Sequence, residues 1–287
     1  MLRIALPNKG RLSDDTRDLF RDAGLDFRSA GERALVATLG ESFEAIFVRS
    51  QDIPEFVADG AADAGVTGSD LVAESGREVA ELLDLEFGRC RVVVAAREDR
   101  GIQSMADIPP NARVATVFPR LTEQFFALRA HAVTVVPVSG ATEIAPHLGI
   151  ADVVVDITST GSTLRVNGLR EIETVFESSA RLIARAPTSA SDEREASLNE
   201  LATGLASVLR ARGSRYLMAN VPRSALDAVK AILPGISGPT VVDIKNGGSM
   251  VAVHAVVPAK TIYRTIASLK AVGAEGILVT RIERLTP

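Results

Sequence analysis

The stretch ADVVVDITSTGSTL, residues 151–164, joins a buried-strand pattern directly to a hydroxyl-rich loop. Val153, Val154 and Val155 form an unbroken β-branched run, as suits a strand covered on both faces. Through Asp156 and Ile157 the run passes into Thr158, Ser159, Thr160, Gly161, Ser162 and Thr163, five hydroxyl residues around one glycine. Successive backbone N–H groups in such a loop, leading into a helix, make a nest for an anion, and Gly161 lets the main chain approach closely. The hydroxyls add neutral donors that hold a phosphate without burying further charge. The same composition also fits a polar turn that caps a helix. A strand that feeds a helix through a loop is the unit of an α/β layer, whose ligands gather outside the carboxyl ends of the strands.

The same alternation extends upstream. Leu2–Leu6 reads as a strand, followed by a helix with Ser13 as N-cap, Asp14 and Asp15 in its first turn, and Gly24 as its stop. A strand over Glu44–Val48, a helix over Ile53–Asp59, the compact Ala64–Gly68 and a helix from Ser69 or Asp70 to near Gly76 follow. This order predicts an α/β layer with a parallel sheet. Arg91–Ala96 is one more strand. A second unit then begins at Pro109-Pro110-Asn111, with strands over Arg113–Val117, Val133–Val138 and Asp152–Ile157 and helices over Leu121–Ala130 and Ala141–Leu148. Arg181–Ala186 reads as a strand returning to the first unit, Thr188–Asp192 as a polar loop, and Asp192–Arg212 as a long helix ended by Gly213. Two α/β lobes joined by extended crossings resemble the type II periplasmic-binding-protein architecture, in which the ligand sits between lobes. Lobe I is expected over residues 1–90 and 181–212, and lobe II over 91–180.

Residues 213–287 follow a different pattern. Strands over Tyr216–Val221, Thr240–Lys245, Met250–Val257 and Gly276–Arg284 alternate with helices over Ser224–Leu233 and Lys260–Val272. The order βαββαβ is ferredoxin-like. Asn246-Gly247-Gly248 supplies the positive φ of a tight hairpin turn. A fold of this kind at the end of an enzyme chain suits a regulatory role.

Bulk properties narrow the function. The 287 residues carry a net charge of −4, which argues against nucleic acid as partner, since that needs a basic face. Small phosphorylated substrates stay open, because local cations and backbone amides suffice for them. With no Trp and 4% aromatics, the core must be built from Val, Leu, Ile and Ala. A single cysteine, Cys90, excludes an internal disulfide and any multi-cysteine metal cluster. The start MLRIALPNKG has no leader pattern, and no apolar run reaches the ~20 residues that span a membrane. A soluble, cytoplasmic protein is expected.

Charged residues recur at expected strand ends. Lys9 and Arg11 follow the first strand, and Arg49 closes another, so that these cations could meet a triphosphate or pyrophosphate; solvated surface charge is the alternative for each. Asp70 is either a helix first-turn residue or a ligand contact, and Glu143 likewise. Asp156 sits where it could meet sugar hydroxyls or a Mg²⁺ carried by pyrophosphate, whereas Asp152 reads as a strand-entry residue in solvent. His131, His147 and His254 lack metal-ligand spacing, and with Cys90 they read as structural. No Walker loop, nucleophile elbow or GxGxxG is present.

Taken together, LRIALPNKGRL, VRSQDIPEFV, DAGVTGSDLV and SGATEIAPHLGIADVVVDITSTGSTLRVNGL resemble the ATP phosphoribosyltransferase family. YLMANVPRSAL, LPGISGPTV and LKAVGAEGILV resemble the regulatory domain of its long form, so the similarity covers the chain. Type I phosphoribosyltransferases place two adjacent acidic residues before their loop, whereas here Ile157 follows Asp156. The resemblance implies attack of adenine N1 of ATP on 5-phosphoribosyl 1-pyrophosphate, with Mg²⁺ as cofactor and pyrophosphate leaving. It implies the ribose 5-phosphate in the Thr158–Thr163 loop and Asp156 and Glu143 near the ribose hydroxyls. Lys9, Arg11 and Arg49 would then hold polyphosphate, and Asp70 would lie near the nucleotide. The protein alone would hold no metal; Mg²⁺ would come mainly with pyrophosphate, Asp156 being the carboxylate beside it. For the C-terminal domain the resemblance implies inhibition by histidine, with Thr240 and Ala274 as contacts, AMP as a further inhibitor, and assembly from dimers to hexamers. A two-lobed solute-binding or sensor module without catalysis is the rival reading, and a phosphoribosyltransferase for another base is a second.

Overall fold

The computed structural model describes residues 1–29, 31, 34–186, 192–235, 238–245 and 248–286. The first stretch runs β1 (Leu2–Pro7), α1 (Ser13–Asp22), β2 (Phe27–Arg28), β3 (Val36–Leu39), β4 (Phe43–Val48), α2 (Ile53–Ala58), β5 (Ala64–Gly68), α3 (Ser69–Ser75) and β6 (Val79–Asp84). Next come β7 (Cys90–Arg97), β8 (Ala112–Thr116), α4 (Pro119–Leu128), β9 (Val133–Pro137), β10 (Val153–Thr158), α5 (Ser162–Val166), β11 (Leu169–Ser178) and β12 (Ala180–Arg185). The chain ends with α6 (Asp192–Arg212), β13 (Ser214–Pro222), α7 (Leu226–Ile232), β14 (Thr240–Asp243), β15 (Met250–Pro258), α8 (Ile262–Ala271) and β16 (Glu275–Arg281). Contacts divide it into two compact units, Met1–Ala202 and Thr203–Pro287, with the division inside α6.

The first unit holds two sheets. One has the order β2-β3-β4-β1-β5-β12-β6 and the other β11-β7-β10-β8-β9. Three neighbours of the first sheet, β4, β1 and β5, are parallel, so their carboxyl ends share one edge. The chain leaves this sheet after β6, enters the second through β7, and returns from β11 into β12. The two crossings lie side by side: Leu85 N–H donates to the Ala180 carbonyl at 2.9 Å, and Ala180 N–H to that of Phe87 at 3.0 Å. This is the expected two-lobed plan.

Continuous apolar runs make the second sheet, because both of its faces are covered. Val92, Val94 and Ala96 of β7 face Phe118, Leu121, Phe125 and Phe126, whereas Val93 and Ala95 face Ala145, Ala151, Leu164 and Leu169. In the first sheet Ile4, Ala5 and Leu6 are fully covered, as are Leu19 and Phe20 of α1.

Several expectations change. The sheets are mixed rather than purely parallel: β12 runs antiparallel to β5 and β6, and β7 antiparallel to β10 and β11. Strands β2, β3, β6 and β11 add to those read from sequence. The helix expected over Ala141–Leu148 is only a single 3-10 turn, Thr142–Ile144. Pro146 lacks the N–H such a helix needs and its ring would press on the Thr142 carbonyl. Ser13 does not cap α1; Leu12 holds the cap position, already helical, and Ser13 is the buried first residue.

In the second unit β13, β14, β15 and β16 pair antiparallel in the order β14-β15-β13-β16, the ferredoxin-like arrangement expected. Leu217, Ala219 and Val221 of β13 and Val251, Val253 and Ala255 of β15 pack with Val229, Leu233 and Leu269. This alternation buries one face of each strand. The Asn246-Gly247 part of the expected hairpin turn and the loop expected at 188–191 lie outside the described residues.

Candidate active site in the two-lobed unit

Parallel pairing gathers the candidate cations. Because β4, β1 and β5 are neighbours, Arg49, then Lys9 and Arg11, then Asp70 follow three adjacent carboxyl ends. Lys9 and Arg49 stand exposed there. Arg11 is tied down: its guanidinium donates to the Gly88 carbonyl and lies 3.8 Å from the Asp70 carboxylate. Asp70 is 1% exposed. Ser178 Oγ donates to its Oδ1 at 2.5 Å, and Gly68 has no room for a side chain beside it, since a Cβ there would overlap the carboxylate.

In the other lobe β10 ends at Thr158 and the chain turns at Gly161, whose φ of 74° opens α5. That left-handed conformation is cheap only for glycine. The Thr158 hydroxyl, buried, accepts the Gly161 N–H at 2.9 Å and so shapes the turn from inside. Thr160 and Ser162 share a hydroxyl–hydroxyl bond of 2.9 Å. Ser159, Thr160, Ser162 and Thr163 are exposed and Gly161 is buried, so the loop offers hydroxyls to solvent from a fixed main chain.

Asp156 precedes this loop, half-buried, and its Oδ1 accepts the Ile157 N–H at 2.7 Å. Burial pushes its carboxyl above the ordinary range and the nearby Glu143 charge pushes it further; hydrogen bonds from the Ile157 N–H and the Thr142 side chain oppose both. The turn Thr142–Ile144 thus sets a second carboxylate beside the first. Asp152, at the far end of the strand, instead accepts the Arg113 N–H at 2.8 Å and serves the sheet.

A cleft of about 490 Å³ opens along the crossings, lined by Ser159 of the hydroxyl loop together with Arg89, Cys90, Arg91, Ser178 and Arg181. Arg91 is held at 2.9 Å from Glu171, and Arg181 by Glu81 at 3.1 Å and by Asp84. Burial raises the Cys90 thiol, and the Asp70 charge raises it further, against the lowering effect of Arg11. Sequence reading missed Ser178, Arg91 and Arg181. The Ser178-Ser179 pair, where β11 ends before β12, was a local signal for the first of these, and the partner of Ser178 lies 108 residues away. It also missed Glu74 of α3, which accepts the Arg120 and Leu121 N–H groups at 3.0 and 2.9 Å and so caps α4 from the other lobe.

Thr240 and Ala274 are not brought together. Thr240 opens β14 and Ala274 precedes β16, at opposite edges of the four-stranded sheet, roughly 14 Å apart across three strand spacings.

Comparison with known proteins agrees with this fold. The family described as ATP phosphoribosyltransferase matches residues 49–207, and the one described as the HisG C-terminal domain matches 211–284. A protein named ATP phosphoribosyltransferase from Gemmatimonas aurantiaca is 70% identical over the full length of both chains. Another of that name from Halobacterium salinarum is 49% identical over 99% of each. The solved ATP phosphoribosyl transferase (HisG:HisZ) complex from Thermotoga maritima contains a chain with TM-score 0.64 and 28% identity, covering 73% of this chain and 99% of that one. Two lobes, a hydroxyl loop after β10 and a ferredoxin-like domain at the C-terminus therefore have one explanation: the chain belongs to the ATP phosphoribosyltransferase family, in its long form.

Proposed function

We propose that the chain joins ATP to 5-phosphoribosyl 1-pyrophosphate, forming N1-(5-phosphoribosyl)-ATP and pyrophosphate, as the first step of histidine biosynthesis. The observation that carries the reading is Asp156 at the end of the strand that leads into the fixed turn at Gly161, with Glu143 close enough for its charge to act on that carboxyl. A phosphate gripped by the turn sets the ribose against the two carboxylates, which favour the positive charge that develops on the ribosyl ring. The adenine N1 lone pair forms the new bond to the anomeric carbon as the carbon–oxygen bond breaks, and that electron pair leaves with pyrophosphate. N1 carries no proton, so no general base is needed, and the chain acts by positioning and electrostatics.

In this reading Thr158, Ser159, Thr160, Gly161, Ser162 and Thr163 hold the ribose 5-phosphate. Lys9, Arg11 and Arg49 face the polyphosphates, and Asp70 lies on the nucleotide side. Among the described residues no three metal-binding side chains converge. The hard oxygens of Asp156 and Glu143 suit Mg²⁺ that arrives on pyrophosphate, and the ion neutralises the leaving group when bound. Histidine and AMP are proposed as inhibitors, histidine at the ferredoxin-like domain, at the Thr240 edge or at the Ala274 edge of its sheet rather than bridging the two within one chain. A homo-oligomer between dimer and hexamer in the cytoplasm completes the proposal.

The test mixes the protein with ATP, Mg²⁺ and phosphoribosyl pyrophosphate, with pyrophosphatase present, and follows ultraviolet absorbance. A rise that requires both substrates supports the reading. A flat trace refutes it and favours a solute-binding module.

A further inference from the structure

We propose that Ser178 is a positioning residue for the nucleotide side of the cleft, acting through Asp70; the inference rests on the placement of Asp70 in the proposed function. A hydroxyl has one proton to donate and two lone pairs to accept with. Ser178 uses all three. It donates to Asp70 Oδ1 at 2.5 Å and accepts the Asp70 N–H at 3.1 Å and the Ser69 hydroxyl at 3.2 Å. Its rotor is therefore fixed from three sides.

The partner needs that bond. A carboxylate 1% exposed must be paired or hydrogen-bonded, and Arg11 stands 3.8 Å away, too far for a direct hydrogen bond. The short, charge-assisted Ser178 bond is thus the main restraint on the carboxylate. Both contacts fall on Oδ1, and Gly68 leaves room for that same oxygen only because it has no side chain. The arrangement holds the carboxylate in one orientation through Oδ1, at the carboxyl end of β5 beside Arg11.

Position gives Ser178 a second consequence. It ends β11, the strand that carries the chain back toward lobe I, and it lines the cleft that Ser159 of the hydroxyl loop also lines. The next residue continues the seam, with Ser69 N–H donating to the Ser179 carbonyl at 3.0 Å. The crossing is therefore stitched to the start of α3, and Asp70 is held in register with the crossing rather than with its own helix alone.

The test is a double-mutant cycle on the full chain, read as kcat and as KM for each substrate, with thermal melting alongside. Ser178→Ala should raise KM for ATP about tenfold, the scale of a lost hydrogen bond to a charged group. KM for phosphoribosyl pyrophosphate should stay within about twofold, a split that a merely structural role would not produce. Asp70→Asn should raise KM for ATP as well, and Ser178→Ala should then add less than about twofold on top of it. Ser178→Cys puts a larger, weaker-donating sulfur at the same place and, assayed with a reductant because the Cys90 thiol lies within hydrogen-bond reach, should move the same constant if the alanine variant folds poorly. An unchanged KM for ATP in the Ser178 variants, with Asp70→Asn effective, overturns the role of Ser178 and leaves that of Asp70 standing. Fully multiplicative effects overturn it too. If Asp70→Asn itself leaves KM for ATP unchanged, the placement of Asp70 falls and takes the inference with it.

Discussion

Replacing Gly161 by alanine probes the hydroxyl loop at the point where its shape is set. The residue has φ 74° and ψ 0°, and a side chain there costs roughly 1–2 kcal/mol relative to glycine. The new Cβ would also lie 2.6 Å from Glu171 Oε1. That carboxylate holds Arg91 at 2.9 Å, and a partly exposed pair of this kind is worth about 0–1 kcal/mol. Because Glu171 ends a flexible side chain, it can yield. The combined cost is about 1–3 kcal/mol, which the protein can meet by strain or by letting the loop relax. Strain lowers the melting temperature by roughly 2–12 °C for a unit of this size. Relaxation breaks the 2.9 Å bond from Gly161 N–H to Thr158 and redirects the amides. At about 1.4 kcal/mol per decade, KM for phosphoribosyl pyrophosphate should then rise on the order of ten- to a hundredfold, with KM for ATP within about twofold. Steady-state kinetics in both substrates, with melting curves, measure it. A melting temperature that falls while KM for phosphoribosyl pyrophosphate stays put would mean that the turn is only a helix cap.

Asp156→Asn should cut activity and stabilise the fold at the same time. The native carboxyl sits above its ordinary range, so its charged form is disfavoured on folding, and stability declines as pH rises through the native value. The variant should therefore melt higher than the parent at pH 8 and equal to it well below the ordinary carboxylate range; an equal or lower melting point at pH 8 contradicts this. Glu74→Ala removes the cap that lobe I places on α4 and should cost about 1 kcal/mol, or roughly 2–4 °C, whereas a change within error would show that the cap is dispensable. A chain ended at Arg212 should lose inhibition by histidine while keeping turnover; inhibition that survives in a folded truncation puts the effector site in the first unit.

Local chemistry was legible in the sequence where one segment carried the whole signal. The Val153–Val155 run, the hydroxyls after it and the glycine at positive φ all act within a dozen residues, and the structure builds them as one strand and turn. The alternating pattern of β13 and β15 was likewise readable, since one face of each is buried. Contacts between distant segments were not. Nothing local in Ser178 shows that its partner is Asp70, and nothing in Glu74 shows that it caps a helix 46 residues on. The helix expected over Ala141–Leu148 failed for a local reason that was available, the proline at 146. Thr240 and Ala274 look related by motif, yet strand order sends them to opposite sheet edges.

Phosphorus-31 nuclear magnetic resonance of the complete reaction tests the central claim most directly. Incubated with ATP, Mg²⁺ and phosphoribosyl pyrophosphate, the protein should convert the diphosphate of the sugar to free pyrophosphate while a triphosphate signal persists at full intensity on the product. Loss of the triphosphate to ADP and phosphate, or pyrophosphate release that proceeds without ATP, would contradict phosphoribosyl transfer to the adenine.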